Sequence, residues 1–139
     1  MGANLGTNSD VETIKRVGEE FFAATNSGDL DRRMATMAED TIIMPPDRTS
    51  IVGIEEIRRL SQDYQRKFDE KCVLAYDEIE TAGNWGFVRA TVTDTRTSKS
   101  DGEVSVIRLK NLWIFKKQAE SEWKFWRIMF NYNPAPEPE

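Results

Sequence analysis

Residues 26–46 read NSGDLDRRMATMAEDTIIMPP, and the fold turns on how this stretch is parsed. Upstream of it, Val11, Ile14, Val17, Phe21, Phe22 and Thr25 recur at helical spacing behind Asp10, a candidate cap. Gly28 is placed to end that helix, because glycine adopts the left-handed conformation of a helix C-terminus at no steric cost. Asp29 then offers a side-chain oxygen to cap a second helix over 30–38, whose apolar positions are Leu30, Met34 and Met37. Glu39-Asp40 closes it, and Thr41-Ile42-Ile43-Met44 reads as a short strand. Pro45-Pro46 permits neither a central strand nor a helix to continue, since proline lacks an amide proton and fixes φ.

Beyond this corner, Ile54, Ile57, Leu60, Tyr64 and Phe68 mark a third helix after Gly53, with Glu55 and Glu56 in the turn where the helix dipole favours acids. From Lys71 the apolar period changes to two. Strands are expected at 72–81, 85–96, 104–115 and 123–132, the first two joined at Ala82-Gly83-Asn84 and the next two around Ser100-Asp101-Gly102. Three helices followed by an antiparallel meander is an α+β arrangement, with the helices on one face of the sheet. In the last strand, Trp126, Ile128, Phe130 and Tyr132 alternate one way, and Trp123, Phe125 and Met129 the other. A sheet with one wet face should alternate apolar with polar. Both faces are therefore expected to be covered, one by helices and the other by a second subunit. That predicts a homodimer through the outer sheet face, with Val106, Leu112, Ile114, Phe125 and Met129 as contacts. The expected organisation is one domain over 10–133 between flexible ends at 1–9 and 134–139.

Composition removes several classes of function. The 139 residues carry a net charge of −5 with a sequence pI of about 4.9. That balance disfavours nucleic acid and anionic membranes as partners, since both call for a basic face. No apolar run approaches the ~20 residues of a spanning helix, and no signal-peptide pattern opens the sequence. A single cysteine, Cys72, makes no internal disulfide; a reducing cytoplasm is the expected location, with a disulfide-free secreted protein as the alternative. There is no histidine. The commonest metal ligand and the usual neutral-pH base are thus missing, and no metal or cofactor is expected. Any acid–base chemistry must use a carboxylate, a tyrosine, a lysine or Cys72.

The segments FFAATNSGDLDRRMATMAEDTIIMPP, IVGIEEIRRL, GNWGFVRATVT, LKNLWIFKK and EWKFWRIMFNYNP occur in the order seen in nuclear transport factor 2-like domains. The chain resembles their SnoaL-like and ketosteroid-isomerase-like branch in particular. The resemblance implies a cone: a strongly bent, mostly antiparallel sheet wrapped on three N-terminal helices, with an apolar pocket at the open end. It places Phe21, Leu60, Arg89, Thr91, Asn111, Trp113, Trp126 and Phe130 on inward positions. Arg89 and Asn111 would then receive the acidic or carbonyl end of a small apolar or aromatic ligand.

The chemistries known in this branch do not transfer residue by residue. The ketosteroid-isomerase oxyanion donor falls at Phe21, its base at or beside Pro45 and its second acid at Asn111, which implies no steroid isomerisation. No aspartate stands on an evident inward position. The functional expectation is a small-molecule-binding domain, with lyase, isomerase or cyclase chemistry open to it. The alternative is a non-catalytic dimerisation or association module, as in the association domain of calcium/calmodulin-dependent kinase.

Overall fold

The structure, a computed structural model, describes residues 8–134. The expected flexible ends lie outside the described residues except for Asn8, Ser9 and Pro134. Asn8 and Ser9 already belong to the first helix, α1 (Asn8–Ser27). Then follow α2 (Leu30–Ala35), β1 (Met37–Met44), β2 (Ile51–Val52), α3 (Ile54–Lys67), β3 (Phe68–Ala82), β4 (Trp85–Ser98), β5 (Val104–Ala119) and β6 (Glu122–Tyr132). One six-stranded sheet has the order β2-β1-β6-β5-β4-β3. All its pairings are antiparallel except β1 with β6. The curved sheet wraps the three helices, as the resemblance implies.

The Asn-Ser-Gly-Asp corner is built from specific hydrogen bonds. Gly28 takes φ 72°, in the left-handed region that favours glycine. The Asp29 carboxylate accepts from the Arg32 amide at 3.2 Å and caps α2. The Asn26 side chain donates to the Cys72 carbonyl at 2.9 Å and accepts from the Cys72 amide at 2.6 Å. It therefore acts as one extra rung on β3 and ties the end of α1 to the sheet. Asp10 serves another purpose than the expected cap: it accepts from the Trp123 indole at 3.2 Å.

Where helix gives way to strand, tertiary pairing overrides local pattern. α2 stops at Ala35, and Met37 and Ala38, expected as helix, begin β1. The Thr36 carbonyl accepts from the Phe125 amide at 3.0 Å, and Met37 pairs with Phe125 of β6. Both side chains of the Met37-Ala38 step are buried. The Pro45-Pro46 corner leads into β2, a two-residue strand too short to show in the sequence pattern, which pairs with Ile42 and Ile43.

Side-chain parity decides which residues face the helices. On β4, Val88, Ala90, Val92 and Asp94 are buried, so Arg89 and Thr91 point outward. On β6 the pairing steps from Ile114–Arg127 to Phe115–Phe125, leaving Trp126 as a bulge residue. The bulge resets the alternation. Trp123 and Phe125 therefore share the inner face with Ile128 and Phe130, and Trp126 turns out. The two-sided apolar pattern expected of this strand is corrected accordingly. Phe125 is fully buried in the core and cannot be an outer-face contact.

Candidate functional site: an apolar cavity with a carboxyl pair

The cone encloses a cavity of about 520 Å³. Its floor is aromatic. Trp113, 1% exposed, packs edge-on against Phe125 at 5.2 Å and lies 5.9 Å from Phe22. Phe21, Ile57, Leu60, Ile128 and Phe130 complete the apolar wall. The volume and lining suit a small organic molecule.

One end of this cavity is polar. Glu70 and Cys72 on β3 stand opposite Arg96 and Asp94 on β4, as direct cross-strand partners. Alternation then aims all four side chains to one side. Arg96 donates to Asp94 Oδ2 at 2.9 Å, and its guanidinium lies 5.1 Å from the centre of the Tyr64 ring. α3 brings Tyr64 and α2 brings Arg33, whose Cζ sits 4.8 Å from the centre of the Phe21 ring. Three buried atoms here have no hydrogen-bond partner among the described residues: Arg33 Nε, the Tyr64 hydroxyl and Asp94 Oδ1.

Electrostatics in this pocket follow from burial. Glu70 is pushed up to about 8, by desolvation first and then by its hydrogen bond and charge repulsion with Asp94. It is therefore a carboxylic acid at neutral pH. Glu70 holds this proton against the neighbouring Asp94 carboxylate. Burial also pushes the Tyr64 phenol and the Cys72 thiol well above their ordinary values, with the neighbouring acids adding to it. Both stay protonated in water near neutrality.

Glu70, Cys72 and Asp94 present donor atoms within 4.8 Å of one another, a separation that a metal ion could span. The chemistry of the set fits a proton better. Arg96 already occupies one Asp94 oxygen, Glu70 holds its proton, and a second guanidinium, Arg33, stands close by. A cation there would meet two positive charges.

Of the residues expected to line the pocket, Phe21, Leu60, Asn111, Trp113 and Phe130 do so. Asn111 donates to the Leu109 carbonyl at 3.2 Å and accepts from the Trp113 indole at 3.1 Å, so much of its amide is used within the strand. The other three are corrected. Arg89 lies on the outer face, 57% exposed, and donates to Glu78 at 2.8 Å. The Thr91 hydroxyl donates to Asp77 on the same face. Trp126 is outside too, 5.0 Å from Trp85 and donating to Asp40. The first two miss because β4 has the opposite parity, the third because of the bulge.

The polar end was not anticipated, yet it left traces in the sequence. Asp94 has the parity of Val88, Ala90 and Val92, the apolar run that faces the helices. Arg33 falls three residues after Leu30 and beside Met34, on the apolar stripe of its helix. Pro45 lines the cavity as well.

A bent sheet closed on three helices around such a cavity defines the nuclear transport factor 2-like class. Within that class the chain belongs to the SnoaL-like domain family, whose sequence profile matches residues 19–119. Among solved structures it is similar to a ketosteroid isomerase-like protein from Erwinia carotovora atroseptica, at 23% identity and a TM-score of 0.84, covering 93% of this chain and 100% of that one. It is also similar to a nuclear transport factor 2-like superfamily protein from Salmonella enterica serovar Typhimurium, at 14% identity and a TM-score of 0.79, covering 95% and 96%. A third is a provisionally named scytalone dehydratase from Novosphingobium aromaticivorans, at 12% identity and a TM-score of 0.82, covering 90% and 85%. No curated protein matches the chain. No described helix is long and apolar enough to cross a membrane.

Proposed function

We propose that this protein binds a small, largely apolar molecule in the cone and moves a proton on it, as a lyase, isomerase or cyclase does. The observation that carries this reading is the carboxyl pair at the end of an apolar cavity. Asp94, ion-paired with Arg96, is the base, and Glu70, kept protonated by burial and by Asp94, is the acid. A carboxylate held by a guanidinium and a neighbouring carboxylic acid can divide the base and acid roles of one reaction. A network that served folding alone would be expected to leave fewer buried polar atoms without partners.

Proton abstraction next to a carbonyl is the simplest reaction such a pair can perform, and it can be watched directly. Exchange of the α-protons of 2-tetralone in deuterium oxide, followed by proton NMR, should run faster with the protein than in buffer. Asp94→Asn and Glu70→Gln should each lower the catalysed rate by about 10²–10⁴-fold. A catalysed rate that survives both substitutions would remove the pair from the chemistry.

The association-module alternative is favoured by a different observation. Leu112 and Met129 are direct cross-strand partners on the outer face, 45% and 46% exposed, and Val106 on β5 is 63% exposed. A second copy of the chain on this face would cover them. A dimer of this kind is compatible with a working cavity, since the cavity lies on the other side of the sheet.

A further inference from the structure

The charges around the cavity do not cancel. Arg96 is matched by Asp94. Asp63, at the rim, is matched by Arg66 at 2.8 Å and by Arg59. Arg33 is not matched. Among the described residues its side chain makes no hydrogen bond and no ion pair; its contact is the face of Phe21. Its Nε is buried without a partner. Glu70 is the remaining carboxyl nearby, and as an acid it supplies no counter-charge at neutral pH. Two further cations, Arg48 and Lys67, stand at the lining. An acidic chain has thus lined this apolar cavity with more cationic than anionic side chains.

A guanidinium partly withdrawn from water, as that of half-buried Arg33 is, is unfavourable unless something negative meets it. Its planar fork matches two oxygens of a carboxylate or a comparable delocalised oxyanion. We propose that the cavity selects small monoanions, with the oxyanion on Arg33 and an apolar or aromatic body against Phe21, Trp113 and Phe130. This rests on the reading of the cavity as a ligand site and adds the charge class of the ligand. It transfers to Arg33, on α2, the anchoring role that the sequence suggested for Arg89. Arg33 is a binding and orienting residue here, beside the carboxyl pair and not part of it.

Two probes with the same body separate the ideas: trans-cinnamate and its neutral analogue cinnamamide, titrated calorimetrically at pH 7. The wild-type protein should bind cinnamate at least about tenfold more tightly, as expected for a charge-assisted pair in a desolvated site. Arg33→Met should weaken cinnamate alone and bring the two probes within about twofold of each other. Arg33→Lys should keep the preference for cinnamate at reduced affinity. Equal affinities in the wild type, or a preference that persists in Arg33→Met, would overturn the anion assignment and leave a neutral-ligand site standing. Binding of neither probe would overturn the ligand-site reading together with the anion assignment. The wild-type comparison decides the matter even if Arg33→Met fails to fold.

Discussion

Glu70 is the residue whose titration should be felt by the whole protein. It is faced by Arg33 from α2, Tyr64 from α3, Cys72 on its own strand and Asp94 and Arg96 from β4. In an unfolded chain a glutamate ionises near ~4.3; here it ionises near 8. Between those values the folded state holds the extra proton, so stability falls as pH rises. The loss begins above the unfolded value and is complete once pH passes the folded one. The melting temperature of the wild type should therefore drop from about pH 5 to about pH 8 by this contribution, and Glu70→Gln should flatten the profile. A wild-type profile that rises across that window, or a slope unchanged in Glu70→Gln, would show that Glu70 ionises normally. Tyr64→Phe offers a second check on the same cluster. Its hydroxyl has no hydrogen-bond partner among the described residues, so removing it should leave the melting temperature unchanged or raise it. A fall of several degrees would reveal a structural hydrogen bond at that hydroxyl.

Contacts between elements put the cavity where it is, and two small residues of α1 are decisive. Gly18 lets the helix approach β3, since a methyl group there would run into the Tyr76 hydroxyl, which donates to the Lys15 carbonyl at 2.8 Å. Gly18→Ala should destabilise the protein by about 1–3 kcal/mol through overpacking, despite the better helix propensity of alanine. Denaturant unfolding would measure it, and a stabilised variant would mean that α1 can shift at no cost. Asn26 works through hydrogen bonds in place of space. Asn26→Leu leaves the Cys72 amide and carbonyl without their side-chain partners and should cost about 1–3 kcal/mol. Cys72 neighbours Glu70 and Asp94, so the same substitution should also disturb the cavity.

At the scale of the molecule, the outer face of the sheet is the open question for assembly. Val106, Leu112 and Met129 remain exposed there, with Trp85 and Phe87 on the neighbouring strand. With Phe125 assigned to the core, the proposed dimer rests on fewer contacts than the sequence suggested. Light scattering at micromolar concentration should still report twice the chain mass, and Met129→Glu should shift the population toward monomer by placing a charge in a desolvated patch. A wild-type monomer under those conditions would remove the dimer and, with it, the association-module alternative.

The sequence by itself determined the class of the fold. Helical spacing ahead of Gly28, the Asp29 cap, the proline corner and the change to period two are local signals, set by backbone sterics and by burial of one face. They sufficed for an α+β arrangement, and the family resemblance then implied the cone and the inward placement of Phe21, Trp113 and Phe130. The absence of histidine also limited any acid–base chemistry to residue types that the cavity does contain. Only the tertiary structure decided which side of β4 faces inward and where β6 bulges. The apolar alternation of Val88, Ala90 and Val92 hinted at the parity of β4, but packing against the helices fixed it. A bulge shows itself only when a partner strand sets the register. Those two facts exchange Arg89, Thr91 and Trp126 for Asp94 and Arg96, and packing of α2 and α3 adds Arg33 and Tyr64. The protonation of Glu70 lies further still from the sequence, because it depends on burial and on a carboxylate brought from another strand.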